Sequence, residues 1–265
     1  MTVTTPVLFI HGLWLHASSW DPWVELFRSA GYDPQAPGWP GDGATVAASR
    51  QDPDAIGDHG IDDVVAHFAA IIDTLPSAPI LVGHSFGGMI AQKLLGQDRA
   101  LAAVAIDAAQ IKGVLPVPLS ALRATLPVFR NPANKHRAVS LSAEQFRFAF
   151  ANAVSEQESH ELHERWTIPA PGRPLFEAAG ANFNPHSPAK VDTENQNRGP
   201  LLLIASGRDN TVPESVTRST LKQYRHSSAV TDIRVFDDRG HSLTIDSGWR
   251  EIADTTLAWL KDRAL

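Results

Sequence analysis

The chain contains no cysteine. Disulfides, a thiol nucleophile and thiolate-held metal or iron–sulfur centres are therefore excluded, and the absence points toward a cytoplasmic home. No apolar run approaches the ~20 residues a membrane-spanning helix requires. Val7-Leu8-Phe9-Ile10 is too short for a signal-peptide core and has no basic stretch before it, so a strand is expected there. Basic residues are the minority, 23 Lys and Arg against 29 Asp and Glu, and they are scattered. No nucleic-acid footprint and no membrane partner is expected from such a pattern. Internal repeats and low-complexity tracts are absent as well.

What is present is an alternation of short apolar runs with helical spacing. Pro6 to Ile10, Pro79 to Val82, Leu101 to Ile106, Pro200 to Ala205 and Thr231 to Phe236 read as strands. Trp20 to Ala30, Asp62 to Leu75, Phe86 to Leu95 and Trp249 to Leu260 carry helical apolar faces, the first with Trp20, Trp23, Val24 and Phe27 at i, i+3, i+4 and i+7. Unbroken apolar strands alternating with helices predict an α/β fold, a mostly parallel sheet with helices on both faces. Such sheets bind ligands at the carboxyl ends of their strands, where His11-Gly12, Ser85, Asp107, Asp209 and His241 all fall.

Residues 110–198 break the rhythm. They hold many prolines, no convincing strand, and helix-like pieces at Ala143 to Asn152 and Glu156 to Trp166. A helical lid is expected there, inserted into a core domain formed by residues 1–109 and 199–265.

Gly83-His84-Ser85-Phe86-Gly87-Gly88 fits a nucleophile turn between a strand and a helix. Small residues two positions either side let the chain pass, and the helix N-terminus that follows offers free N–H groups to a developing oxyanion. A serine hydroxyl needs a base, and the base needs an orienting acid. His241 and Asp209, each in a polar turn after a late strand, stand in the order Ser, acid, His that this architecture uses. Asp107 is a rival acid, with a turn or capping role as the preferred reading. The second oxyanion N–H is expected from Leu13, partnering that of Phe86, while His11 braces the loop.

With these residues in view, the chain resembles the α/β-hydrolase superfamily, in its lidded, esterase-like branch, over nearly its whole length. The resemblance rests on His11-Gly12, Pro37-Gly38-Trp39-Pro40-Gly41, Gly83-His84-Ser85-Phe86-Gly87-Gly88, Gly207-Arg208-Asp209 and Gly240-His241. It implies a Ser85–His241–Asp209 triad without cofactor or metal, acting on a small to medium carboxylic ester. Trp14, His84 and Trp166 are expected to touch the substrate; the aromatic residues Phe146, Phe148, Phe150, Phe176 and Phe183 are further lid candidates. His160 and His163 are three apart rather than the four of a zinc helix, so a solvated face is expected. The same triad also serves C–C hydrolysis, perhydrolysis and lyase chemistry, and the scaffold also serves as a non-catalytic small-molecule receptor. Oligomeric state leaves no mark in the sequence.

Overall fold

The computed structural model describes residues 4–115 and 118–265; residues 1–3 of the expected core and 116–117 of the expected insertion lie outside the described residues. Strand β1 (Pro6–Ile10) is buried along its length, as a continuous apolar run requires. Helix α1 (Asp21–Ser29) opens with Asp21 and Pro22, which suit a helix N-terminus, and buries Trp23 and Phe27. Strand β2 (Asp33–Gln35) leads to helices α2 (Val46–Gln51), α3 (Pro53–Ile56) and α4 (Ile61–Ile72). The start of α4 is fixed by Asp63, whose Oδ2 accepts the Gly60 N–H at 2.8 Å. Strand β3 (Ile80–His84), helix α5 (Phe86–Gly96) and strand β4 (Ala102–Ile106) follow directly.

Between β4 and the next core strand lie helix α6 (Leu119–Phe129), strand β5 (Ala138–Val139), helices α7 (Ala143–Ala149) and α8 (Glu156–Trp166), strand β6 (Ala170–Pro171) and helix α9 (Arg173–Ala179). Ser142 and Ser155 cap α7 and α8 by accepting the N–H groups of Gln145 and Glu158. The core resumes with strand β7 (Leu201–Ser206), helix α10 (Glu214–Gln223), strand β8 (Thr231–Phe236) and helix α11 (Trp249–Lys261).

The central sheet runs β2-β1-β3-β4-β7-β8, and every neighbouring pair is parallel. Side-chain alternation divides its two faces. Leu8, Ile10, Leu81, Ala103, Ala105 and Leu203 pack under α4, α5 and the inserted helices. Val7, Phe9, Ile80, Val82, Val104 and Ile204 meet Trp20, Trp23 and Phe27 on one side and Ile252, Trp259 and Leu260 of α11 on the other. Burying each large apolar side chain contributes roughly 1.5–3 kcal/mol, so these two layers fix the sheet that carries the site.

Two sequence expectations need correction. Asp33-Pro34-Gln35 forms an edge strand beside β1, although it has no apolar pattern; an edge tolerates proline because one side needs no ladder donor. The segment expected to lack strands contains β5 and β6, which pair antiparallel over two residues each, too short to leave a periodicity. The other expected elements recur with ends shifted by a few residues. Helix α7 ends three residues early, and Phe150 leaves it to meet the site.

Candidate active site

Ser85 stands between β3 and α5 with φ 55° and ψ −121°, a conformation costing about 1–3 kcal/mol for a residue with a side chain. The neighbouring strand holds it there: its N–H donates to the Ile106 carbonyl at 2.9 Å, and its carbonyl accepts the Ala109 N–H at 2.9 Å. The turn is too tight for side chains at its flanks. A Cβ at Gly83 would lie 2.1 Å from the Gly87 carbonyl oxygen, and one at Gly87 would lie 2.0 Å from that of Ile10.

The loops after β7 and β8 bring Asp209 and His241 together. His241 Nδ1 lies 2.5 Å from Asp209 Oδ2, with both side chains buried. Asp209 Oδ1 is fixed in turn by the N–H groups of Thr211 at 2.6 Å and Val212 at 2.8 Å. With Nδ1–H given to Asp209, Nε2 is left with its lone pair. The ring sits between Phe150, edge-on at 4.7 Å, and His84 at 4.6 Å. The Ser242 N–H also donates to the Phe150 carbonyl, so the end of α7 anchors the histidine loop. Sequence reasoning had no signal for this, because Phe150 is one of several aromatic residues in its segment.

The loop after β1 is braced as expected. His11 Nε2 lies 2.9 Å from Asp42 Oδ2, and Trp39 both stacks on the His11 ring and donates its Nε1–H to the His11 carbonyl. Trp14 adopts φ 67° and donates its indole N–H to Val139 of β5. Gly12 faces Ser85: a Cβ there would lie 2.6 Å from Ser85 Cβ. Gly12→Ala is therefore expected to displace Ser85 and lower kcat/KM for a nitrophenyl ester roughly 100-fold, the scale of a 1 Å misplacement. Unchanged kinetics would show that the loop yields instead.

Ser85 opens onto a cavity of about 290 Å3. Trp14, Leu122, Phe129, Leu175, Val212 and Val216 form much of its wall, Gln110, Thr125 and Thr211 are its other polar groups, and among the described residues no charged side chain lines it. Phe86 borders it as well. Two expected substrate contacts are corrected here. His84 is fully buried against His241, and Trp166 packs at the end of α8 with Arg165 over its ring; neither lines the cavity. Among aromatic residues of the insertion, Phe129 reaches it instead of Phe146, Phe148, Phe150, Phe176 or Phe183. Helical spacing cannot distinguish which face of α6 looks inward, because leucines also stand on its exposed side.

Beneath the site, burial, followed by the charge of nearby His241, pushes the His84 imidazole well below its ordinary value of 6.5. Burial, followed by the negative charge of Asp209, pushes the Asp107 carboxyl well above its ordinary 3.8. The two shifts oppose each other in stability. His84 refuses a proton that the unfolded chain takes up below pH 6.5, so its contribution is lost as pH falls. Asp107 keeps a proton that the unfolded chain releases above pH 3.8, so its contribution is lost as pH rises. Each amounts to at most about 1.4 kcal/mol per pH unit, and they offset between these limits. Asp107→Asn is expected to unmask an acid-side loss of melting temperature below pH 6.5, and His84→Phe to remove it. Melts of both variants from pH 4.5 to 7 test the pairing; parallel curves would contradict it.

His84, Asp107 and His241 are the group among the described residues whose potential metal-ligating atoms lie within 4.8 Å of one another. Asp107, however, already accepts from Ser206 through both oxygens, and His241 Nδ1 is committed to Asp209. The chemistry of this donor set suits a proton network rather than a metal. No helix among the described residues is long and apolar enough to cross a membrane.

An all-parallel sheet with a strained serine turn after its third strand, and a histidine–aspartate pair from its last two, defines a hydrolase of α/β architecture. The chain belongs to the Alpha/beta hydrolase family, whose sequence model matches residues 7–255. No curated protein sequence matches it significantly. Solved structures are similar in fold across essentially the whole chain. A methylesterase from Arabidopsis aligns with a TM-score of 0.67 at 20% identity, covering 97% of this chain and 99% of that one. A monoacylglycerol lipase from Paleococcus ferrophilus gives 0.69 at 20% identity, covering 97% and 95%. A pyrethroid hydrolase from Sphingobium faniae gives 0.65 at 17% identity, covering 98% of each chain.

Proposed function

We propose that this protein is a serine hydrolase that cleaves small to medium, uncharged carboxylic esters through an acyl-enzyme. The observation that carries the reading is Ser85 opening onto an apolar cavity whose wall includes Thr211 and Val212, the residues that hold Asp209 of a buried His241–Asp209 pair. Ser85 Oγ attacks the ester carbonyl carbon while His241 Nε2 takes its proton. Asp209 holds the ring and stabilises the imidazolium. The N–H groups of Leu13 and Phe86, neither of them engaged by a backbone carbonyl, receive the oxyanion. Phe86 is well suited, since the first N–H groups of a helix have no partner within it. Collapse expels the alkoxide, which takes the proton from His241. Water then attacks the acyl group, gives its proton to Nε2, and the acid leaves.

Residues 110–198 act in this reading as a lid whose helices α6 and α9 wall the acyl pocket. The uncharged wall disfavours substrates bearing a carboxylate or ammonium near the reacting carbon, because burying an unpaired charge is costly. Esterase and lipase relatives in fold, named above, support hydrolysis as the class of reaction. The direct test is a fluorophosphonate probe followed by peptide mass mapping. A single adduct on Ser85 is expected. Failure to label, together with a rise in melting temperature on adding a small apolar ligand, would instead favour a receptor.

A further inference from the structure

The buried carboxyl of Asp107 has no part in the reaction just described, yet it lies at the junction of the loops that carry Ser85, Asp209 and His241. Asp107 follows β4 directly, fully buried and with φ 41°. Its N–H donates to Ile204 of β7, and Ile106 before it and Ala109 two residues after it hold the backbone of Ser85. Its Oδ1 accepts the Ser206 N–H at 2.8 Å, and Ser206 Oγ lies 2.7 Å from Oδ2. Ser206 ends the strand that leads into the Asp209 loop. The Asp107 carboxyl is also within hydrogen-bonding reach of the Asp209 carboxyl, and within 4.8 Å of a ring nitrogen of both His84 and His241.

We propose that Asp107 is a positioning residue for the His241–Asp209 pair, bracing the Asp209 carboxylate. This rests on the ester-hydrolase reading only in the use made of the pair. Two buried carboxylates in contact cannot both be charged at reasonable cost, so one holds a proton. Asp209 already uses its oxygens to accept two backbone N–H groups and to meet the imidazole, an arrangement in which it acts as acceptor throughout. Asp107 is the more buried and has no cationic partner among the groups that face it: Asp209 after β7, His84 at the end of β3, and His241 after β8. It therefore retains the proton and donates it in a hydrogen bond to Asp209. That bond fixes the carboxylate plane, and through it the direction in which His241 Nε2 points.

Asp107→Ala removes the donor; Asp107→Asn replaces it with an amide that still accepts from Ser206 and donates to Asp209. Turnover of p-nitrophenyl butyrate is measured per active site titrated by the nitrophenol burst, which removes any effect of misfolded protein. Asp107→Ala is expected to lose about ten- to a hundredfold in kcat, the worth of a hydrogen bond to a charged group, with KM within about twofold. Asp107→Asn should recover most of that loss. The low-field proton resonance of His241 Nδ1–H gives a second readout that needs no turnover, and it should shift in the alanine variant and return in the asparagine one. An alanine variant with wild-type kcat per titrated site and an unmoved resonance would overturn the proposal. Absence of turnover in the wild type would sink the ester reading alone, since the resonance still decides the role of Asp107.

Discussion

Ser85→Ala is expected to abolish the nitrophenol burst and reduce steady-state turnover of p-nitrophenyl acetate and butyrate roughly 10^4- to 10^6-fold. The size of the effect follows from what else is within reach. Thr211, the other hydroxyl-bearing residue near the pair that lines the cavity, donates its hydroxyl to the Ala149 carbonyl at 2.7 Å. Ser206 Oγ is engaged by Asp107, and the chain has no cysteine. Nothing is placed to inherit the attack. KM should change little, because the apolar wall that holds the acyl group is intact. Unaltered turnover in this variant would remove Ser85 from the chemistry altogether.

Asp209→Asn is expected to cost about 10^4-fold in kcat with the fold preserved. The asparagine oxygen can still accept from Thr211 and Val212, so the loop keeps its shape. Its amide, however, donates toward His241 Nδ1, which must then accept. The ring is driven to the tautomer with a proton on Nε2, and the nitrogen proposed to receive the Ser85 proton can no longer take one. Nitrogen chemical shifts of His241 in the variant would show the switch. A loss of less than about tenfold would point to Asp209 as a loop organiser rather than the orienting acid.

How much of this could be read from residues alone depended on whether each feature was local. The strands β1, β3, β4 and β7 were legible because each is a largely apolar run, the signature of burial on both faces; β8, half-buried at the sheet edge, was legible from the alternation of Ile233 and Val235 with Asp232 and Arg234. The serine turn was legible because steric crowding leaves glycine as the choice on both flanks. Strand β2 was not, since an edge strand of three residues needs no apolar residues. The neighbours of His241 were not either. Phe150, His84 and Asp107 reach it from three distant segments, and no spacing rule connects them. His84 looked like a substrate contact because it adjoins the nucleophile, but successive residues of a strand point to opposite faces. Its side chain went inward as Ser85 turned out.

The order of strands in the central sheet also bears on how the protein is made. Strand β4 finds its partner β7 only about a hundred residues later, after the whole helical insertion has been synthesised. Until then a ribosome-bound chain exposes an apolar parallel edge at β4, and Asp107 and Ser85 have no Ser206, Asp209 or His241 to meet. At ordinary elongation rates of about 5–20 residues per second that interval lasts on the order of ten seconds. The nascent chain therefore passes through a period in which it is both inert and prone to associate. Chaperone dependence should concentrate in that window and end once β7 has emerged.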